Sequence, residues 1–124
     1  MNIAEVSKKY DITPDTLRYY ERIGLIPKVR RKGNIRDYSE ADCGWVEFIK
    51  CMRGAGMQVE ALIEYVALFQ QGDATADIRK QILIKQRERL REKHATLQKI
   101  LERLDYKIAN YSQSLRAAEQ GLKK

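Results

Sequence analysis

Apolar positions in the first 73 residues form short clusters separated by turn-forming residues. Ile3, Val6 and Tyr10 recur at helical spacing, with Asn2 as a helix cap and Glu5 three residues on. Asp11 and Ile12 make a tight turn. Thr13 then caps a second helix, with Pro14 at its first position and Asp15 near its positive end. That helix runs to about Ile23 and stops at Gly24. Two short helices joined by a tight turn predict a helix-turn-helix. Leu17 and Ile23 anchor the second helix, which leaves Arg18, Tyr19 and Tyr20 for an external partner. Val29, Ile35 and Tyr38 are strand formers around Lys32-Gly33-Asn34, so residues 28–39 predict a small hairpin with a basic tip. Ser39, with Asp42 three residues later, opens a third helix whose apolar stripe is Trp45, Phe48, Ile49 and Met52. It ends at Gly54-Ala55-Gly56. Met57 to Gln71 predicts a fourth helix, with Val59, Leu62, Ile63, Val66 and Phe69 on one side.

The pattern changes near residue 74. From there to Gly121 no proline or glycine intervenes. Leu83, Leu90, Leu97, Leu104 and Tyr111 recur every seven residues, and four residues after each come Arg87, His94, Leu101, Ile108 and Leu115. This is a heptad seam, polar in its first half and apolar in its second. A lone helix cannot bury such a stripe, and a head of 73 residues is too small to cover it. The seam therefore predicts a partner helix, most simply from a second copy. The expected organisation is mainly α-helical. Residues 1–73 form a winged helix-turn-helix DNA-binding domain with linking helices, and residues 74–120 form a coiled-coil dimerisation helix.

Charge sharpens this picture. Lys and Arg number 24 against 17 Asp and Glu, a net charge of +7, which suits an anionic partner. No apolar run is long enough for a membrane span, and the N-terminus lacks the form of a signal peptide. Cys43 and Cys51 read as free thiols in a reducing cytoplasm. Eight residues apart on one helix, they are separated by about 12 Å along its axis, too far for a disulfide. One histidine leaves no His-based triad, and no phosphate loop or carboxylate cluster is present. No enzyme activity, cofactor or metal site is expected.

The stretch TLRYYERIGLI followed by IRDYSE resembles the start of MerR-family transcriptional regulators. The resemblance implies a winged helix-turn-helix, linking helices and a long antiparallel coiled coil. It also implies a dimer seated on a palindrome within an overlong promoter spacer. Effector binding would let the dimer bend and untwist that spacer, so RNA polymerase is reached only through the DNA. DYSEADCGWVEFIKCMRGAGM, with ALIEYVALFQQGD after it, resembles the subgroup that senses aldehydes and other electrophiles through one cysteine in the third helix, here Cys51.

On this reading Arg18 and Tyr19 contact phosphate, with Tyr20 joining them or packing inward. Thr13 caps the helix and touches the backbone, while Asp15 and Thr16 face the groove. In the wing, Lys32, Arg36 and Tyr38 clamp phosphates; on the third helix Lys50 and Arg53 reach phosphates near the dyad. Leu83, Leu90, Leu97, Leu101, Leu104, Ile108, Tyr111 and Leu115 make the dimer. A cysteine on a half-apolar helix is ordinarily inert packing, but Lys50 and Arg53 nearby would favour the reactive thiolate of Cys51. Two alternatives stay open. One is a regulator with a structural Cys51 and a small ligand between the third and fifth helices. The other is a coiled-coil adaptor whose basic head binds an acidic protein or RNA.

Overall fold

The computed structural model describes residues 1–111, 113 and 116–122. Helices α1 (Ile3–Tyr10) and α2 (Pro14–Ile23) are followed by strands β1 (Arg31–Lys32) and β2 (Ile35–Arg36). Then come α3 (Glu40–Gly54), α4 (Val59–Gln70), a 3-10 turn (Asp73–Thr75), α5 (Ala76–Ala109) and α6 (Arg116–Leu122).

Local chemistry sets most of these boundaries. Asn2 and Glu5 form a reciprocal capping box at the start of α1, and Ser39 with Asp42 does the same for α3. Thr13 accepts from the Thr16 backbone amide at the start of α2. Three helices end in one hydrogen-bond pattern, five residues back: Ile12 N to Ser7 O, Leu25 N to Tyr20 O and Met57 N to Met52 O. Gly24 carries the left-handed residue of the second of these at φ 86°, a conformation glycine adopts without a side-chain penalty. The turn returns Leu25 and Ile26 into the core beside Tyr20.

The wing is a two-stranded antiparallel hairpin, with Arg31 opposite Arg36 and Lys32 opposite Ile35. Gly33 has φ 68° while Asn34 does not enter the positive region. That is the II′ pattern, whose twist matches the flanking strands. Asp37 N donates to Arg30 O and lengthens the pairing by one step.

Two compact units divide the chain, one from Met1 to Arg87 and the other from Glu88 onward. The core of the first joins the four early helices and the segments flanking the wing: Val6 of α1, Leu17 and Tyr20 of α2, Leu25, Ile26 and Val29 of the wing's approach, Tyr38 beyond it, Cys43, Val46 and Ile49 of α3, and Leu62 of α4. The first turns of α5 belong to this unit. Thr75 and Gln86 are buried, and Gln86 Oε1 accepts from the Gln58 amide that opens α4.

Two expectations change. The apolar stripe of α3 is split: Val46 and Ile49 are buried, whereas Trp45, Phe48 and Met52 are half-buried at the edge of the core. The long helix expected over residues 74–120 is preceded by the 3-10 turn, its α-helical span α5 is described over Ala76–Ala109, and α6 over Arg116–Leu122. Leu115 lies outside the described residues.

Candidate nucleic-acid interface

The exposed side of α2 follows from its helical phase. Leu17 and Tyr20, three apart, face the core. Asp15, Arg18, Tyr19 and Arg22 face outward. Arg18 donates to Asp15 Oδ1 at 2.9 Å across one turn. Both side chains are open to solvent, so the pair is weak and exchanges readily for a phosphate. The guanidinium of Arg22 lies 5.5 Å from the Tyr19 ring centroid, which orients the ring and holds the cation beside it. Thr13 is exposed and Thr16 half-buried, their hydroxyls 2.8 Å apart.

Several expected contact residues also make contacts within the head. Tyr20 is 8% exposed and Tyr38 2%, so both rings are core groups, not open surface donors. Burial pushes the hydroxyl pKa of each upward, opposed by Arg53 at Tyr20 and by Arg36 at Tyr38. The Tyr38 hydroxyl is buried without a hydrogen-bond partner. Arg36 is spent on a strut: its Nε donates to Glu21 Oε1 at 2.8 Å, and Glu21 Oε2 also accepts from Val29 N. Lys50 Nζ donates to the Tyr10 carbonyl at the end of α1, and Arg53 donates to Met57 O at 2.7 Å. These two cations brace the head internally. Lys32 is exposed at the wing tip, next in sequence to Arg31 and Arg30.

Arg18 and Arg22 on α2 and Arg30, Arg31 and Lys32 of the wing are exposed cations, and the Glu21–Arg36 strut ties the wing to α2. Sequence reasoning missed Arg22 and Glu21. Arg22 had a signal in its spacing of three from Tyr19; Glu21 had none, since its partner is 15 residues away.

Cys51 is exposed and Cys43 buried, with Cys43 Sγ 3.9 Å from Met1 Sδ. Among the described residues no group of three or more His, Cys, Asp or Glu gathers as a metal site, and no helix is long and apolar enough to cross a membrane. In the heptad seam, Leu90, Leu97, Leu101, Leu104, Ile108 and Tyr111 are all exposed on the single chain, while Leu83 is half-buried in the first unit.

A cleft of about 350 Å³ opens on the first unit. α3 contributes Ala41, Gly44, Trp45 and Phe48; α4 contributes Tyr65 and Phe69; Arg79 of α5 also lines it. Sequence periodicity assigned Trp45, Phe48 and Phe69 to packing and could not separate them from the core.

Comparison with known proteins agrees with this architecture. Residues 1–68 match the model of the MerR HTH family regulatory proteins, and residues 44–106 match one described as MerR, DNA binding. The chain is 60% identical over 93 residues to the HTH-type transcriptional regulator AdhR of Bacillus subtilis, covering 74% of this chain and 66% of that protein. It is 40% identical over 80 residues to the HTH-type transcriptional regulator HmrR of Rhizobium leguminosarum, covering 64% and 62%. The chain thus spans just under two thirds of the length of these curated relatives. Among solved structures, a MerR family protein from Listeria monocytogenes superposes with TM-score 0.89 at 44% identity, over 99% of this chain and 94% of that one. HiNmlR, a MerR family regulator lacking the sensor domain and bound to promoter DNA, superposes with TM-score 0.81 at 27% identity, over 93% and 92%.

Proposed function

This chain belongs to the MerR family of helix-turn-helix regulatory proteins, and from that premise we propose that it is a cytoplasmic, homodimeric DNA-binding transcriptional regulator. One observation carries the reading. The exposed face of α2 and the wing tip hold Arg18, Tyr19, Arg22 and Lys32 on one braced scaffold. Cations of this kind neutralise phosphates, and the aromatic ring packs on sugar. HiNmlR, which has the same fold, is bound to promoter DNA, and that supports the same partner here.

The exposed seam from Leu90 to Tyr111 supports a second copy as the covering partner, paired antiparallel. Two heads related by a two-fold axis then meet a palindrome. The dimer acts by bending and untwisting the promoter spacer, and it influences RNA polymerase through the DNA alone.

The proposed switch is Cys51. Its exposure supports reaction with an aldehyde or another electrophile. The Cys51 thiolate adds to the aldehyde carbon, an S–C bond forms, the carbonyl π bond opens, and the resulting alkoxide takes a proton from water. A second reading is favoured by the cleft between α3, α4 and α5, which offers a place for a reversible small ligand. The test is a gel-shift titration on promoter duplex against scrambled duplex, with transcription followed before and after formaldehyde. Equal affinity for both duplexes would remove the regulator reading and favour an adaptor with a basic head.

A further inference from the structure

We propose that the cleft between α3, α4 and α5 is a binding site for a small planar aromatic carboxylate. Its walls are aromatic on two sides. The Trp45 ring lies 6.1 Å from Phe48 and 5.0 Å from Phe69, both edge-on, and Phe48 lies 5.9 Å from Tyr65. Rings set this way present both edges and faces, which another flat ring can meet in offset or T-shaped contact. A volume of about 350 Å³ falls within the range of small-molecule sites.

The charge comes from Arg79. Its Nε donates to Thr75 Oγ1 at 3.1 Å, and its guanidinium lies 5.4 Å from the Phe69 ring centroid. Among the described residues no carboxylate pairs with it. With Nε anchored and one face on Phe69, the terminal nitrogens are left for an outside anion. A carboxylate matches that fork of donors.

Gly44 is the second, independent sign. A glycine inside a helix costs about 1 kcal/mol relative to alanine. Packing does not require it here, since a Cβ at Gly44 would meet nothing within 4 Å. Gly44 lines the cleft without a side chain to fill it, with Ala41 one turn before it.

The cleft also lies beside the junction of α4 and α5. Thr75 Oγ1 donates within reach of Leu68 O at 2.6 Å and Gly72 O at 2.8 Å, and it accepts from Arg79. An anion that draws on Arg79 therefore pulls on the group that closes this turn. That regulatory consequence rests on the transcriptional reading above; occupancy of the cleft does not.

Trp45 is the only tryptophan in the chain, so its emission reports the cleft directly. The full chain would be titrated with phenylacetate and, separately, with neutral phenylacetamide. The expected result is a saturable change in Trp45 emission with phenylacetate, at a dissociation constant of about 0.1 to 1 mM. Arg79→Gln should weaken phenylacetate by about ten-fold or more and leave phenylacetamide nearly unchanged. Gly44→Leu should abolish both responses while helical circular dichroism is retained. Emission that never responds, that responds equally to both compounds, or that follows protein concentration in place of ligand would overturn the proposal. The last outcome would mean that a second copy covers the cleft. Promoter binding, measured in parallel, keeps failure of this site distinct from failure of the regulator reading.

Discussion

Arg36 Nε sits 2.8 Å from Glu21 Oε1, and this one bond joins the second strand of the wing to the last turn of α2. The Glu21 side chain is only 9% exposed and that of Arg36 21%. The pair is therefore shielded from the screening that makes surface ion pairs weak. Glu21→Ala leaves Arg36 without its partner and frees Val29 N as well. The expected loss is about 2 kcal/mol in urea unfolding, with promoter affinity falling because wing and helix no longer hold one spacing. Unchanged stability would show the strut to be incidental.

Arg18 and Lys32 test the interface itself. Each is exposed and each is expected to neutralise one phosphate. Alanine at either position should weaken binding on specific and scrambled duplex alike. The slope of log affinity against log salt should become shallower by about 1 for each. If Arg18→Ala leaves both affinity and slope in place, α2 does not lie against DNA.

The buried tyrosines give a pH dependence with a definite sign. Burial raises the Tyr20 and Tyr38 hydroxyls above the ordinary 10.0. A folded-state pKa above the unfolded value means that the stabilising contribution is complete below pH 10 and is lost as pH climbs through the folded pKa. Alkaline unfolding is expected, and Tyr20→Phe should flatten it. Tyr38→Phe also removes a buried hydroxyl with no partner, so it should hold or raise stability at neutral pH. Should Tyr38→Phe instead weaken DNA binding with stability intact, the hydroxyl reaches a phosphate in the complex.

For the seam, the single chain has a mass of 14.5 kDa, and sedimentation should give twice that. Leu101→Glu or Leu104→Glu puts a charge where the proposed partner helix packs. Either should yield monomers at micromolar concentration, with promoter affinity reduced about 100-fold or more as the two-headed grip is lost. A dimer that survives both changes would move the interface elsewhere.

Cys51→Ser should keep promoter binding within about two-fold, since a surface substitution of this size changes little. The transcriptional response to formaldehyde should vanish, and peptide mass spectrometry should place an adduct on Cys51 of the parent protein. A response that persists in Cys51→Ser assigns the signal to another group.

Local chemistry made much of this protein legible in its sequence. Asn2-Glu5, Thr13-Pro14 and Ser39-Asp42 announce helix starts because a cap is a contact between residues three apart. Gly24 and Gly33 mark turns because their backbone angles are local properties. The seven-residue spacing from Leu83 to Tyr111 announces a seam for the same reason, since one helix carries the whole pattern. What the tertiary structure alone decided lies between elements distant in sequence. Tyr19 and Tyr20 are neighbours of like chemistry, yet Tyr20 turns into the core and Tyr19 faces out, because Leu25 and Ile26 return to pack beside Tyr20. Arg36, Lys50 and Arg53 look like phosphate clamps by type, and packing also gives them internal partners in Glu21 and the carbonyls of Tyr10 and Met57. Trp45, Phe48 and Phe69 look like core by period and line a cleft at the edge of the core, beside Gly44 and Ala41. Pattern gives each side chain a direction on its own helix; only the packing of helices determines whether that direction ends in protein or in solvent.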